Sequence, residues 1–261
     1  MRPRSILITG ASRGLGASLA HAYAAAGVDL ILTARSVQAL KRVCADCQKA
    51  GAKVQCLPLD LAEEASIDDI LEQLEAIGLP DLLIANAGVY SGRQANGLLE
   101  PRAEQDQQLR VNLTGTIQFL DRCAQRMKDR GSGHLVLISS LAAIQPQPDS
   151  PAYSASKAGL AFWGRAMAED LADHGVQISI VYPGHIESQQ TAIQVGALPG
   201  LMSAPRAAEI IRKGIGKKRT QIFFPQHLYW LIRISNLLPG WLRRRLNRPF
   251  RYHVARGDRS E

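Results

Sequence analysis

The sequence predicts an α/β protein with a doubly wound, mainly parallel sheet covered by helices on both faces. Three observations carry that prediction. Short apolar runs alternate with longer helical stretches over most of the first 225 residues, the pattern of parallel strands joined by crossover helices. The first strand-to-helix junction is a glycine-rich turn, Gly10-Ala11-Ser12-Arg13-Gly14-Leu15-Gly16. The 261 residues, 46% hydrophobic and 21% charged, contain no Pro/Ser/Gly tract that would act as a linker, so one globular unit with a large core and a tail is expected.

Taken in order, Ser5 to Thr9 is an apolar strand that enters the glycine turn, and Ala17 to Ala26 reads as a helix ended by Gly27. Glycines allow close backbone approach, and the free N–H groups of a helix N-terminus face an anion, so this junction makes a phosphate cradle of the Rossmann type. Val28 to Ala34 is a second strand, Val37 to Ala50 a helix ended by Gly51, and Lys53 to Leu59 a third strand. Ala65 to Ile77 is helical, and Asp81 to Ala85 is a fourth strand opening into Asn86-Ala87-Gly88. Glu104 to Arg130 is a long helical stretch interrupted near Asn112-Leu113-Thr114-Gly115, followed by a fifth strand over Gly133 to Ser139. A helix containing Tyr153 runs to about His174-Gly175, Val176 to Tyr182 is a sixth strand ending in Pro183-Gly184, and Ile222 to Pro225 is a last strand.

The chemistry centres on Tyr153-Ser154-Ala155-Ser156-Lys157, with Ser140 upstream. On a helix Tyr153 and Lys157 stand at i and i+4, hence on one face. A free phenol titrates near ~10 and transfers protons poorly at neutral pH, whereas a nearby fixed cation draws it towards the working range of a general acid or base. The spacing alone is weak and counts only in its context of a parallel sheet with a dinucleotide turn.

That context resembles the short-chain dehydrogenase/reductase family in its compact, single-domain form. The residues carrying the resemblance are Thr9-Gly10-x3-Gly14-x-Gly16, Asp60, Asn86-Ala87-Gly88, Asn112, Ser140, Tyr153-x3-Lys157 and Pro183-Gly184-x-Ile186, covering about residues 5 to 225. The resemblance implies a catalytic, dinucleotide-binding domain over 1–225 and an extension over 226–261. It also implies a hydride transfer between a nicotinamide cofactor and a small-molecule carbonyl or alcohol. Tyr153 would be the acid or base, Ser140 would bind the substrate oxygen, and Lys157 would lower the tyrosine pKa and hold the nicotinamide ribose. Asn112 would position a water, although an asparagine before a helical interruption can serve only as a cap. Homo-oligomers built on the long helices after Asn112 and at Tyr153 are expected on the same ground.

For the cofactor, the resemblance assigns Gly10, Ser12, Gly14, Leu15 and Gly16 to the phosphates and Asp60 and Leu61 to the adenine, and counts Asn86, Ala87 and Gly88 among the cofactor-binding residues. Ile186 would close over the nicotinamide amide, Ser188, standing where the family often has threonine, would give the cofactor a hydroxyl contact, and Pro183 and Gly184 are counted with them. The second strand ends in Arg35 rather than a carboxylate, and Arg13 lies in the glycine turn. Both favour the 2′-phosphate of NADP(H) over NAD(H), though either could be a solvated surface charge. A non-catalytic NADP(H)-binding sensor or scaffold on the same fold is the alternative.

Between Ile186 and Pro205, the segment that forms the substrate lid in the family, there is no lysine or arginine, so a neutral, lipophilic substrate is expected. Charge is uneven along the chain, −3 over residues 1–204 and +11 over residues 205–261. In the extension, His227 to Leu238 is apolar, Pro239-Gly240 breaks the pattern, and Trp241-Leu242-Arg243-Arg244-Arg245-Leu246 resumes it. This is shorter than the ~20 residues that span a bilayer. It leaves two occupants open: peripheral membrane contact through 226–248, or packing within the protein or an oligomer. No nucleic-acid motif accompanies the charge, and no histidine has a metal-ligand spacing, so neither nucleic acid nor metal is implied. The four cysteines do not form a secreted disulfide framework, Cys44-x-x-Cys47 reads as ordinary helix positions, and the start of the chain lacks the long apolar stretch of a signal peptide. A cytoplasmic, reducing location is expected, with the cytoplasmic membrane face as the alternative site.

Overall fold

The computed structural model describes residues 3–94, 98–192, 194–196, 198–247 and 252–254. Ile193 and Ala197 of the lid, and Arg248 and residues 255–261 of the basic extension, lie outside the described residues. Seven strands form one sheet, all parallel: β1 (Ser5–Thr9), β2 (Asp29–Ala34), β3 (Lys53–Pro58), β4 (Leu82–Ala85), β5 (Gly133–Ile138), β6 (Val176–Pro183) and β8 (Gln221–Phe224), in the order β3-β2-β1-β4-β5-β6-β8.

Helices α1 (Gly14–Tyr23), α2 (Val37–Lys49) and α8 (Ala204–Gly216) cover one face. Helices α3 (Glu64–Ile77), α5 (Thr116–Arg130) and α6 (Pro151–Asp170) cover the other. Side chains alternate between the two layers: Ile6 and Ile8 enter the first core and Leu7 the second, and Leu82 and Ile84 oppose Leu83 and Ala85 in the same way. Burial on both faces is why these strands are unbroken apolar runs.

The interruption expected near Asn112 is a π-helical turn, Arg110–Gly115, between α4 (Arg102–Leu109) and α5. At its end two backbones approach closely, since a Cβ at Gly115 would lie 1.7 Å from the Leu61 carbonyl oxygen. Thr116 Oγ1 donates to the Val111 carbonyl at 2.7 Å and so satisfies one acceptor of the widened turn. α5 ends at Gly131, whose φ of +71° is the left-handed cap that a glycine supplies.

Two boundaries and the lid differ from expectation in ways that bear on the site. α1 begins at Gly14, inside the glycine turn, because the turn itself is the first helical turn. β8 stops at Phe224, since Pro225 has no N–H for the ladder and opens helix α9 (Gln226–Ser235). The lid holds a short helix, α7 (Gln189–Ala192), and a strand, β7 (Gln194–Gly196). β7 pairs antiparallel with β9 (Tyr252–Val254), which lies beyond helix α10 (Gly240–Asn247). The cysteine expectation also changes: Cys44 on α2 is joined by a disulfide to Cys56 on β3, with their Cα atoms 6.8 Å apart, while Cys47 and Cys123 are buried thiols.

Candidate active site

The strand order reverses between β1 and β4, where open α/β sheets bind ligands. Hydrogen bonds tie the two strand ends together. Thr9 Oγ1 accepts from the Asn86 and Ala87 N–H groups, each at 3.0 Å, and Asn86 Nδ2 donates to the carbonyls of Thr9 at 3.0 Å and Gly10 at 3.2 Å. One cleft of about 2180 Å³ runs from this junction across the carboxyl ends of the strands.

Its first end is the glycine turn. Gly10 has φ +65° and lies so close to Ala87 that a Cβ would stand 2.8 Å from the Ala87 Cα; at Gly16 a Cβ would stand 2.2 Å from the Gly10 oxygen. Only glycine permits this curvature, and no side-chain cap closes the N-terminus of α1, so its first N–H groups are left to an anion. Residues of this kind fit a dinucleotide. Ser12, Arg13, Gly14, Leu15 and Gly16 line this end with Arg35, Asp60 and Leu61. Arg13 and Arg35 are exposed. Asp60 Oδ1 accepts from the Ala62 N–H at 2.9 Å, which shapes the loop after β3. Asn86, Ala87, Gly88, Pro183, Gly184, Ile186 and Ser188 line the middle.

Ser140, Tyr153 and Lys157 meet at the other end. Pro151 opens α6 and carries Tyr153 into the cleft, where its ring stands edge-on to Tyr90 at 5.0 Å. Ser140 bonds the Tyr153 hydroxyl, and its Oγ also accepts from the Ala142 N–H at 3.1 Å. Lys157 is buried; its Nζ donates to the Ile138 carbonyl at 2.9 Å and lies 5.8 Å from the centre of the Tyr153 ring. Burial lowers the Lys157 pKa from 10.5 to about 8. Burial raises Tyr153, opposed only by the Ser140 hydrogen bond. The expected lowering of Tyr153 by Lys157 is therefore corrected: desolvation of the phenolate prevails.

Asn112 does not line the cleft. It is fully buried on the π-helical turn, where Oδ1 accepts from the Val89 N–H at 2.8 Å and Nδ2 donates to the Val89 carbonyl at 2.8 Å. Its side chain thus clamps the segment that follows Gly88.

Sequence reasoning missed the wall that α9 and α10 give the cleft. His227, Leu228, Leu231, Ile232, Arg243 and Arg245 line it. Leu228 and Ile232 at i and i+4 were the available signal, masked because the opposite face of α9 is apolar too. The lid itself has no cation, yet α10 brings two arginines to the cleft from outside it.

A model of short chain dehydrogenases matches residues 4–195. An uncharacterised oxidoreductase of Myxococcus xanthus is 35% identical over 244 residues, 92% of this chain and 94% of that one. The ketoacyl reductase HetN of Nostoc is 33% identical over 230 residues, covering 86% and 79%. Among solved structures, a short-chain dehydrogenase from Sphingobium yanoikuyae in complex with NADPH matches with a TM-score of 0.78 at 25% identity, covering 98% of this chain and 99% of that one. A metagenomic short-chain oxidoreductase in complex with NADP matches with a TM-score of 0.70 at 30% identity, covering 84% and 96%.

Proposed function

The chain belongs to the short-chain dehydrogenase family, and on that premise we propose that it is an NADP(H)-dependent oxidoreductase interconverting a lipophilic ketone or aldehyde with the matching alcohol. The observation that carries this reading is one cleft with a glycine turn at one end and Ser140, Tyr153 and Lys157 at the other. The nicotinamide, when bound, supplies or accepts the hydride. Gly10, Gly14, Gly16 and the N-terminus of α1 would hold the phosphates, Asp60 and Leu61 the adenine, and Asn86, Gly88, Lys157, Ile186 and Ser188 the nicotinamide half.

In reduction, Tyr153 donates its phenolic proton to the carbonyl oxygen, and Ser140 Oγ donates a hydrogen bond to that same oxygen as charge develops on it. A raised pKa keeps Tyr153 protonated at neutral pH, which suits an acid. The Lys157 ammonium opposes the charge left on the phenolate. Asn112 acts as a positioning residue by fixing Val89 beside the cleft.

NADP(H) is favoured by Arg13 and Arg35 and by the absence of a carboxylate at the end of β2, and NADPH and NADP in the two solved relatives support it. A lipophilic substrate is favoured by Leu141, Leu228, Leu231 and Ile232 in the cleft and by a relative named as a ketoacyl reductase. Residues 1–225 form the catalytic unit in this reading and 226–261 its extension, of which α9 and α10 wall the cleft; the outer faces of α5 and α6, where Phe162 is exposed, are the assembly surface. The test is NADPH oxidation by the purified chain against carbonyl compounds graded in chain length, with NADH in parallel and a Tyr153→Phe variant as control. Turnover that rises with chain length, prefers NADPH and disappears in the variant supports the proposal. Binding of NADPH without turnover of any carbonyl would replace it with a cofactor-binding sensor.

A further inference from the structure

We propose that the outer face of α9 and the start of α10 dock on an anionic lipid bilayer and set the mouth of the cleft against it. The inference stands on the surface alone and does not require the substrate assignment. α9 is apolar on two sides. Its inner side is seated on the protein: Tyr229 stacks on Phe223 at 4.1 Å, Leu228 and Ile232 pack against the core, and just past the helix Asn236 Nδ2 donates to the Ile144 carbonyl at 3.2 Å.

Among the described residues nothing covers its outer side. Trp230 is 58% exposed, Leu231 56%, Ile234 60%, Leu237 85% and, past the Pro239-Gly240 break, Trp241 64%. Eleven large apolar side chains among the described residues are exposed, and five of them fall in this short stretch. Scattered singly they would mean nothing; Trp230 and Ile234 share a face of α9 at i and i+4, and Leu237 and Trp241 carry the exposed apolar stripe on past the end of that helix.

Charge selects the occupant. Residues 226–247 contain no aspartate or glutamate, and Arg233 and Arg245 are exposed beside the stripe. A second copy meeting this face across a two-fold axis would bring arginines against arginines. An anionic lipid surface answers both the stripe and the cations, with tryptophan rings at the depth where they are favoured and arginines among the headgroups. No helix among the described residues is long and apolar enough to cross a membrane, so the contact is a helix lying in the interface. Leu231, exposed beside the stripe, also lines the cleft, and Arg243 and Arg245 line it from α10. The docked face is thus continuous with the entrance, and the chain leaving it returns as β9 to pair with the lid strand β7.

The test is co-sedimentation of the full chain with phosphatidylcholine vesicles and with mixed phosphatidylcholine/phosphatidylglycerol vesicles. The expected result is at least tenfold tighter binding to the anionic vesicles and a blue shift of tryptophan fluorescence on binding. A Trp230→Ser, Leu237→Ser, Trp241→Ser variant should lose binding more than tenfold while its melting temperature and NADPH binding match the parent, and Arg233→Glu should erase most of the preference for anionic lipid. No binding of the parent to anionic vesicles, or binding unchanged in the triple variant, would overturn the proposal. So would analytical ultracentrifugation showing that the triple variant splits a parent oligomer, because the face would then belong to a second copy.

Discussion

Lys157 Nζ stands 5.8 Å from the centre of the Tyr153 ring while it donates to the Ile138 carbonyl at 2.9 Å. The cation is placed to act on a phenolate once it forms, but it is buried, and its pKa falls from 10.5 to about 8. Carbonyl reduction needs the charged lysine and the protonated tyrosine. kcat/KM for reduction should therefore decline as pH rises through about 8, with Tyr153 still protonated because burial raises it. A pH profile of NADPH oxidation that stays flat from pH 7 to about 9.5 would remove Lys157 from the reaction.

The same burial has a stability consequence. The unfolded chain holds the Lys157 proton up to about 10.5 and the folded chain only to about 8. Between those values the unfolded state binds more protons, so this group's contribution to stability rises with pH; below about 8 its burial costs stability in full. Lys157→Met removes the titration. The melting temperature of the variant relative to the parent should fall as pH is raised from 8 to 10.5, measured by circular dichroism. A constant difference would mean that the folded lysine titrates near its ordinary value.

Ser140 bonds the Tyr153 hydroxyl and also receives the Ala142 N–H. Ser140→Ala removes a donor to the substrate oxygen, a loss of about 10²–10³-fold in kcat by analogy with other oxyanion donors. The buried 3₁₀ turn Leu141–Ala143 after Ser140 loses its cap, about 1 kcal/mol. Steady-state kinetics with thermal melts separate the two effects: a large kinetic loss with a small thermal one is expected, and equal losses in both would make Ser140 structural.

The seven parallel strands were legible because burial on both faces writes itself as unbroken runs such as Leu135-Val136-Leu137-Ile138. The ends of the cleft were legible because Gly10, Gly16, Ser140, Tyr153 and Lys157 are each demanded locally, by curvature or by chemistry. What was not legible depends on contacts distant in sequence. Gly115 at the end of the π-helical turn is required by the Leu61 carbonyl, and the lid strand Gln194–Gly196 acquires a partner only when Tyr252–Val254 returns to it. The behaviour of Lys157 turns on desolvation, which spacing does not encode.

Asn112 makes two 2.8 Å hydrogen bonds to the main chain of Val89 in a fully buried position. Asn112→Leu leaves the partly buried N–H and carbonyl of Val89 unpaired, at about 1 kcal/mol or more each. The variant should melt well below the parent and lose cofactor affinity together with kcat. A variant that melts like the parent but turns over slowly would return Asn112 to the water-positioning role and away from the clamp.

Arg35 follows β2 where an NAD-specific site would carry a carboxylate, and Arg13 shares the same end of the cleft. If both pair with a 2′-phosphate, each contact is worth about 1–2 kcal/mol at an exposed position, roughly 5–30-fold in affinity. Arg35→Ser should raise the KM for NADPH by that factor and leave the KM for NADH unchanged, because NADH offers the arginine no phosphate. Arg35→Asp should go further, repelling the 2′-phosphate of NADPH and accepting the ribose hydroxyl of NADH, so that the preference inverts. The two cofactors compared on one carbonyl substrate decide it: parallel changes for NADPH and NADH would make Arg35 a surface charge and leave Arg13 alone to read the phosphate.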